Sequence, residues 1–167
     1  MKRISCIFTV MAFVIPCVLA ARDVKLGDIT VSFTVDDKWE VKEKPTKTTL
    51  SLMANKEAVL TVAITIEDLS GDQTPLQILT DMTSSMKELH KKELSESKIK
   101  GIGADKGASG LFTGRTGEFG TMQHGFIVLF RGGKIIKISA FGYQEKFDAN
   151  MGQFNALMDS MKLSSGK

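Results

Sequence analysis

The chain has 167 residues, with 22 Lys and Arg against 19 Asp and Glu, two His, two Cys and a formal net charge of +3. That is one ordinary domain's worth of chain. It has no basic stripe with interleaved aromatics, so nucleic-acid binding has no electrostatic footprint in it. Both cysteines, Cys6 and Cys17, precede residue 20, which excludes disulfides, thiolate metal sites and cysteine nucleophiles from everything downstream.

At the N-terminus, Lys2 and Arg3 precede an apolar run from Ile4 to Leu19, and Val18-Leu19-Ala20 supplies modest and small residues for a cut after Ala20. This is the charge, core and small-residue order of a secretory signal peptide. The alternative is a membrane anchor, but the run is interrupted by Pro16 and is short against the ~20 residues a spanning helix needs. Cys17 follows Val14-Ile15-Pro16 and lacks the small residues expected before a lipidated cysteine. The expectation is a signal peptide over 1–20, a single domain over 21–167, and export to a bacterial periplasm with no membrane span after cleavage. Losing Lys2 and Arg3 leaves 20 basic residues against 19 acidic ones, close to +1.

Ile29, Val31, Phe33 and Val35 alternate with Thr30, Ser32 and Thr34, the period of a half-buried strand. Asp36-Asp37-Lys38-Trp39 then turns. Thr48–Asn55 and Ala58–Asp68 read as two further strands joined through Asn55-Lys56-Glu57, with Leu60, Val62, Ile64 and Ile66 on one face.

Thr74, Pro75 and Gln77 form a capping box with proline at the first helical position. Leu76, Leu79, Met82, Met86 and Leu89 follow at three- and four-residue steps. The pattern predicts one helix from Pro75 to Lys92, with His90-Lys91-Lys92 at its C-terminus, where the dipole favours positive charge.

Lys100–Gly120 holds seven glycines. The spacing Gly101, Gly103, Gly107 is one residue off a dinucleotide-binding fingerprint, and Gly114-Arg115-Thr116-Gly117 lacks the Lys-Ser/Thr of a phosphate loop. The expectation is turns and bulges in an antiparallel sheet. Gly132-Gly133 suits a two-residue hairpin turn. That register pairs Phe130 with Ile135 and Val128 with Lys137, and puts Ile127, Leu129, Ile136, Ile138 and Ala140 on the other face. Phe126–Phe130 is apolar on both faces, the mark of an interior strand. Phe147, Met151, Phe154, Met158 and Met161 step by four, three, four and three, a helical stripe read as core, because methionine fills irregular gaps. The final Leu163-Ser164-Ser165-Gly166-Lys167 reads as a tail.

The Trp39 turn, the hairpin into "AVLTVAI", the Thr-Pro capped helix, "GRTGEFG", "GGKIIKISAFG" and the terminal "FNALMDSMKL" together resemble the PsbP-like fold, over roughly Ile29–Leu163. That superfamily includes DcrB-type exported bacterial proteins and the extrinsic photosystem II subunit. The resemblance implies an α+β domain, an antiparallel sheet of about six or seven strands flanked by two main helices. It implies an accessory or binding role without a shared active site. It carries over no functional residues, and nothing in this chain supports a photosystem role.

Catalytic signatures are sparse. There is no Gly-x-Ser-x-Gly nucleophile elbow, and His90 and His124 are the only imidazoles, too few for a zinc site. The expectation is a non-catalytic periplasmic binding or accessory protein with no cofactor and no metal, whose partner is another envelope protein. Two alternatives stand beside it: a hydrolase-type enzyme using carboxylates or His124 beside Glu118 and Arg115, and an envelope-interaction or effector-neutralising module. The candidate binding residues are Arg115, Glu118, His124, Arg131 and Lys134, on two arginine-bearing turns and a strand start.

Overall fold

The computed structural model describes residues 20–36, 39–46, 49–54, 60–115 and 120–165. In chain order these form β1 (Ala20–Leu26), β2 (Ile29–Val35), β3 (Trp39–Thr46), β4 (Thr49–Ala54), β5 (Leu60–Asp68), α1 (Pro75–Met82), β6 (Lys87–Glu93), α2 (Glu96–Ile102), β7 (Lys106–Arg115), β8 (Thr121–Arg131), β9 (Lys134–Tyr143), α3 (Gln144–Ser160) and β10 (Lys162–Ser165). Every strand pairing is antiparallel. A seven-stranded sheet runs β3-β4-β5-β9-β8-β7-β6, and a three-stranded sheet runs β1-β2-β10.

The alternating strands put one apolar row on each side of the large sheet. Leu60, Val62, Ile64, Leu129, Ile136 and Ile138 face a core shared with Val31 and Phe33 of β2 and Phe147, Phe154 and Leu157 of α3. On the opposite face, Ala108, Phe112, Phe126, Val128 and Phe130 pack beneath Ile78 and Leu79 of α1. Phe126–Phe130 is buried on both sides, as an interior strand requires. The hairpin register is the expected one, Phe130 opposite Ile135 and Val128 opposite Lys137. Gly132 and Gly133 have φ of 54° and 75°, the paired positive angles of a primed turn. The β2 alternation and the α3 stripe also hold: Ile29, Val31, Phe33 and Val35 are buried, as are Phe147, Phe154, Met158 and Met161. The Trp39 turn closes on a bond from the Trp39 N–H to the Asp36 carbonyl, 3.2 Å. The connection at Asn55-Lys56-Glu57 lies outside the described residues.

Four expectations are corrected. The capped helix does not reach Lys92. Its N-terminal box forms as read, with Gln77 N–H donating to Thr74 Oγ1 and Thr74 N–H to Gln77 Oε1. It ends at Met82, where Thr83 Oγ1 donates back to the Leu79 carbonyl at 2.7 Å and Thr83-Ser84-Ser85 turns the chain. Hydroxyl residues compete with helical bonding in this way. The next segment gains a full ladder on the edge of β7, and that pairing overrides the helical stripe. Leu89 therefore projects from a bulged edge strand, 48% exposed.

Second, Glu96–Ile102 is a helix that the glycine reading passed over. Ser95 caps it by accepting from Lys98 N–H, and Gly103 ends it in the left-handed conformation at φ 82°. Third, Gly107, Gly110 and Gly114 lie inside β7 and not in turns. A Cβ at Gly107 would sit 2.8 Å from Leu129 Cδ2 and 2.9 Å from Leu94 Cδ1, so a bare backbone there lets its neighbours close in. Fourth, the supposed tail is β10, with Leu163 buried and opposite Val31. With β1, it completes a second sheet absent from the sequence reading.

Candidate functional site

The large sheet's inner face is only partly roofed. α3 packs chiefly on β2, β9 and β8, so the sheet beyond it, toward β7 and the edge strand β6, is left open. A groove of about 560 Å³ runs there, within the roughly 300–1,000 Å³ of ordinary ligand clefts. Its floor is Leu111, Gly125 and Ile127. One wall is Phe147, Met151, Phe154 and Met158 of α3, and the rim carries His90, Lys92, Glu93, Ser95, Lys98, Ser109 and Asn155.

Local sequence builds each part. His90 and Lys92 stand opposite Leu111 and Ser109, so they share the groove face of the sheet. Lys91 alternates to the other side, where it donates to Thr80 Oγ1 at 3.2 Å and pairs with Glu88 at 3.0 Å. Gly125 makes room for the wall: a Cβ there would lie 3.3 Å from Phe147 Cζ and 3.8 Å from Phe154 Cε1. The wall is fixed at its far end by Ser160 Oγ, which accepts from Thr34 N–H at 2.9 Å. An ion pair from Lys98 to Asp159 ties α2 to α3. Met151 and Met158 thus do two jobs, core packing and wall, where the sequence reading gave them only the first.

Among the described residues singled out from sequence, His124, Arg131 and Lys134 do not line this groove. His124 is on the opposite face of β8, half-buried, with its ring 6.0 Å from Phe126 and 6.2 Å from Phe141. Burial pushes its imidazole below the ordinary value. Arg115 ends β7 opposite Thr121, and Glu118 and the Arg115 side chain lie outside the described residues. Arg131 and Lys134 face each other at the other end of β8. The strand positions of Arg115 and Arg131 are therefore about 33 Å apart, ten steps along β8 at ~3.3 Å each.

The hairpin tip is itself braced. Gly132 N–H donates to Asp105 Oδ2 at 2.9 Å, and Leu69 N–H to the Gly133 carbonyl at 2.9 Å. Lys134 Nζ is 2.6 Å from Asp68 and 3.9 Å from Asp28. The hydrogen bond to Asp68 raises its pKa, and the charges of Asp68 and Asp28 add to this.

The His124 environment predicts a pH effect. A folded-state pKa below the unfolded value means the unfolded chain binds more protons on acidification, so this residue's contribution falls as pH drops below about 6.5. His124→Phe should flatten the fall in melting temperature between neutral and mildly acidic pH. Parallel curves for the two proteins would show that His124 does not carry it.

No protein-family model matches the sequence, and no curated protein matches it. Solved structures do. The cyanobacterial PsbP (CyanoP) of Synechocystis sp. PCC 6803 superposes with a TM-score of 0.61 over 94% of this chain and 99% of its own, at 11% identity. LpqN of Mycobacterium tuberculosis, involved in cell envelope biogenesis, gives 0.64 over 87% and 91%, at 13% identity. The chain has the PsbP-like fold. A mutant of the protein Mog1 is similar at a TM-score of 0.50 and 13% identity, over 84% of this chain and 87% of its own. The PsbP-like α+β architecture joins the described strands and helices over nearly the whole chain. Among the described residues no helix is long and apolar enough to cross a membrane.

Proposed function

We propose that this PsbP-like domain is an exported accessory or binding protein that acts without catalysis, and that the groove between α3 and β6–β8 receives an apolar group. The observation that carries the reading is the groove: a cleft of about 560 Å³ whose floor and wall are Leu111, Ile127, Phe147, Met151, Phe154 and Met158. Leu111 and Met151 are partly exposed there, over a base in which Ile127, Phe147, Phe154 and Met158 are already buried, and a concave apolar lining of this kind suits recognition of a small apolar group. The charge, apolar run and small residues at the N-terminus support export by a cleavable signal. LpqN's connection with the cell envelope supports an envelope partner. His124 packed among phenylalanine rings, with the groove on the opposite face of the sheet, favours binding over the hydrolase alternative.

The test uses an environment-sensitive apolar dye, N-phenylnaphthylamine. The purified protein should raise its fluorescence saturably. Ser109→Trp and Asn155→Trp, each placing an indole in the groove, should weaken dye binding by at least about tenfold. Asn155 is exposed on α3, so its replacement leaves the fold intact. Undiminished dye binding by both folded variants would refute the groove as the site.

A further inference from the structure

We infer that Met86, Met122 and His124 form a binding site for copper(I), over the bare backbone of Gly114 on the face of the sheet away from the groove. The inference is independent of the groove reading, because the two sites share no residue.

Gly114 of β7 leaves a gap on which its neighbours converge. At the position a Cβ would take there, His124 Nε2 is 3.7 Å away and Met86 Cγ 3.9 Å. A ring nitrogen and a thioether, one bond beyond Cγ, thus approach one point. Met122 supplies a second thioether. It stands directly opposite Gly114 and two residues before His124 on β8, and both relations put it on the His124 face. Neighbouring strands lie ~4.8 Å apart, a gap that an unbranched methionine side chain spans across a residue with no side chain of its own.

His124 has a nitrogen to give. Its ring lies between those of Phe126 and Phe141 and makes no hydrogen bond among the described residues. Burial favours the neutral imidazole, in which one nitrogen keeps a lone pair. A polar group withdrawn from water without a partner is costly, and a coordinated cation would satisfy it. The two methionines and His124 are only partly buried. Gly114 also borders an open cleft with Ser85 and Thr121, which gives an ion a way in.

The donor set selects the metal. Two thioethers and an imidazole are neutral, and thioether sulfur selects copper(I) over harder cations. A divalent ion would call for anionic ligands to offset its desolvation. The described residues hold no group of three or more His, Cys, Asp or Glu that could supply them. Lys87, next to Met86, stands opposite Thr113 and so projects on the other face.

Silver(I) is the redox-inert probe for the site, read by methionine methyl NMR of the wild-type protein. Saturable shifts of the Met86 and Met122 signals are expected, with those of Met151 and Met158 unmoved. Anaerobic calorimetry with copper(I) in dilute acetonitrile should give one equivalent bound per chain. Met86→Leu and Met122→Leu keep side-chain volume, and each, like His124→Phe, should weaken copper(I) binding at least about tenfold. Zinc(II) should neither bind there nor displace silver(I). Silver(I) shifts confined to other methionines, no shift at saturating silver(I), or copper(I) affinity unchanged in all three variants would overturn the site. Displacement of silver(I) by zinc(II) would overturn the choice of a soft monovalent ion.

Discussion

Phe154→Ala should destabilise the protein by about 3–5 kcal/mol, the range for removing a buried phenylalanine ring from a core. Phe154 is 5% exposed in the middle of α3, in the same buried cluster as Leu60, Ile138 and Phe147. Its ring lies against the bare backbone of Gly125, so the void it leaves faces a strand that has no side chain to fill it. The groove beside it offers one route to relaxation: Met151 and Met158 can swing inward, which favours the lower half of the range. Equilibrium denaturation reads the effect. A midpoint equal to wild type would mean that α3 does not present this face to the sheet.

Gly103→Ala should cost about 2–5 kcal/mol, from two sources. Gly103 has φ of 82°, where an L-residue pays roughly 1–2 kcal/mol. A Cβ there would also stand 2.8 Å from the Leu163 carbonyl oxygen. Backbone cannot rotate aside as a side-chain end can, so β10 must shift, at a further ~1–3 kcal/mol. Gly71→Ala is the internal control. Its φ is 73°, but a Cβ there meets nothing within 4 Å, so it should show only the conformational cost. Equal losses in the two variants would show that the α2 terminus does not abut β10.

The parts of the fold legible in the sequence are those in which local pattern and tertiary environment agree. β2, β5 and α3 each carry one period, β8 carries the continuous apolar run of an interior strand, and the Gly132-Gly133 turn fixes the hairpin register. The errors fall where a non-local partner decides. Lys87–Glu93 carries the continuation of a helical stripe, yet β7 offers it a ladder of hydrogen bonds, and no feature within the segment announces that offer. β1 and β10 are strands because both flank β2, although their sequences lie at opposite ends of the chain. α2 left a readable trace: Ser95 as cap, Ile99 and Ile102 three apart, and Gly103 as terminator. The seven-glycine run begins inside it, at Gly101 and Gly103, and masks the helical pattern.

The groove was harder to see, for a physical reason. It is built by an absence of cover, and neither periodicity nor a motif marks where a helix stops shielding a sheet. The residues chosen from sequence were charged groups beside glycines. Lys134 at the hairpin tip proves to be anchored by Asp68, and Gly132 by Asp105. Methionines in the α3 stripe were the available signal. Their place in a wall follows only once α3 is seen to leave β6 and β7 open.

Methionine methyl NMR during titration with N-phenylnaphthylamine locates the binding site most directly. Met151 and Met158 border the groove, whereas Met82, the last residue of α1, and Met86 pack on the other side of the sheet. The account predicts saturable shifts of the Met151 and Met158 methyl signals with those of Met82 and Met86 unmoved. Shifts confined to Met82 and Met86, or no methyl shift at saturating dye, would contradict it.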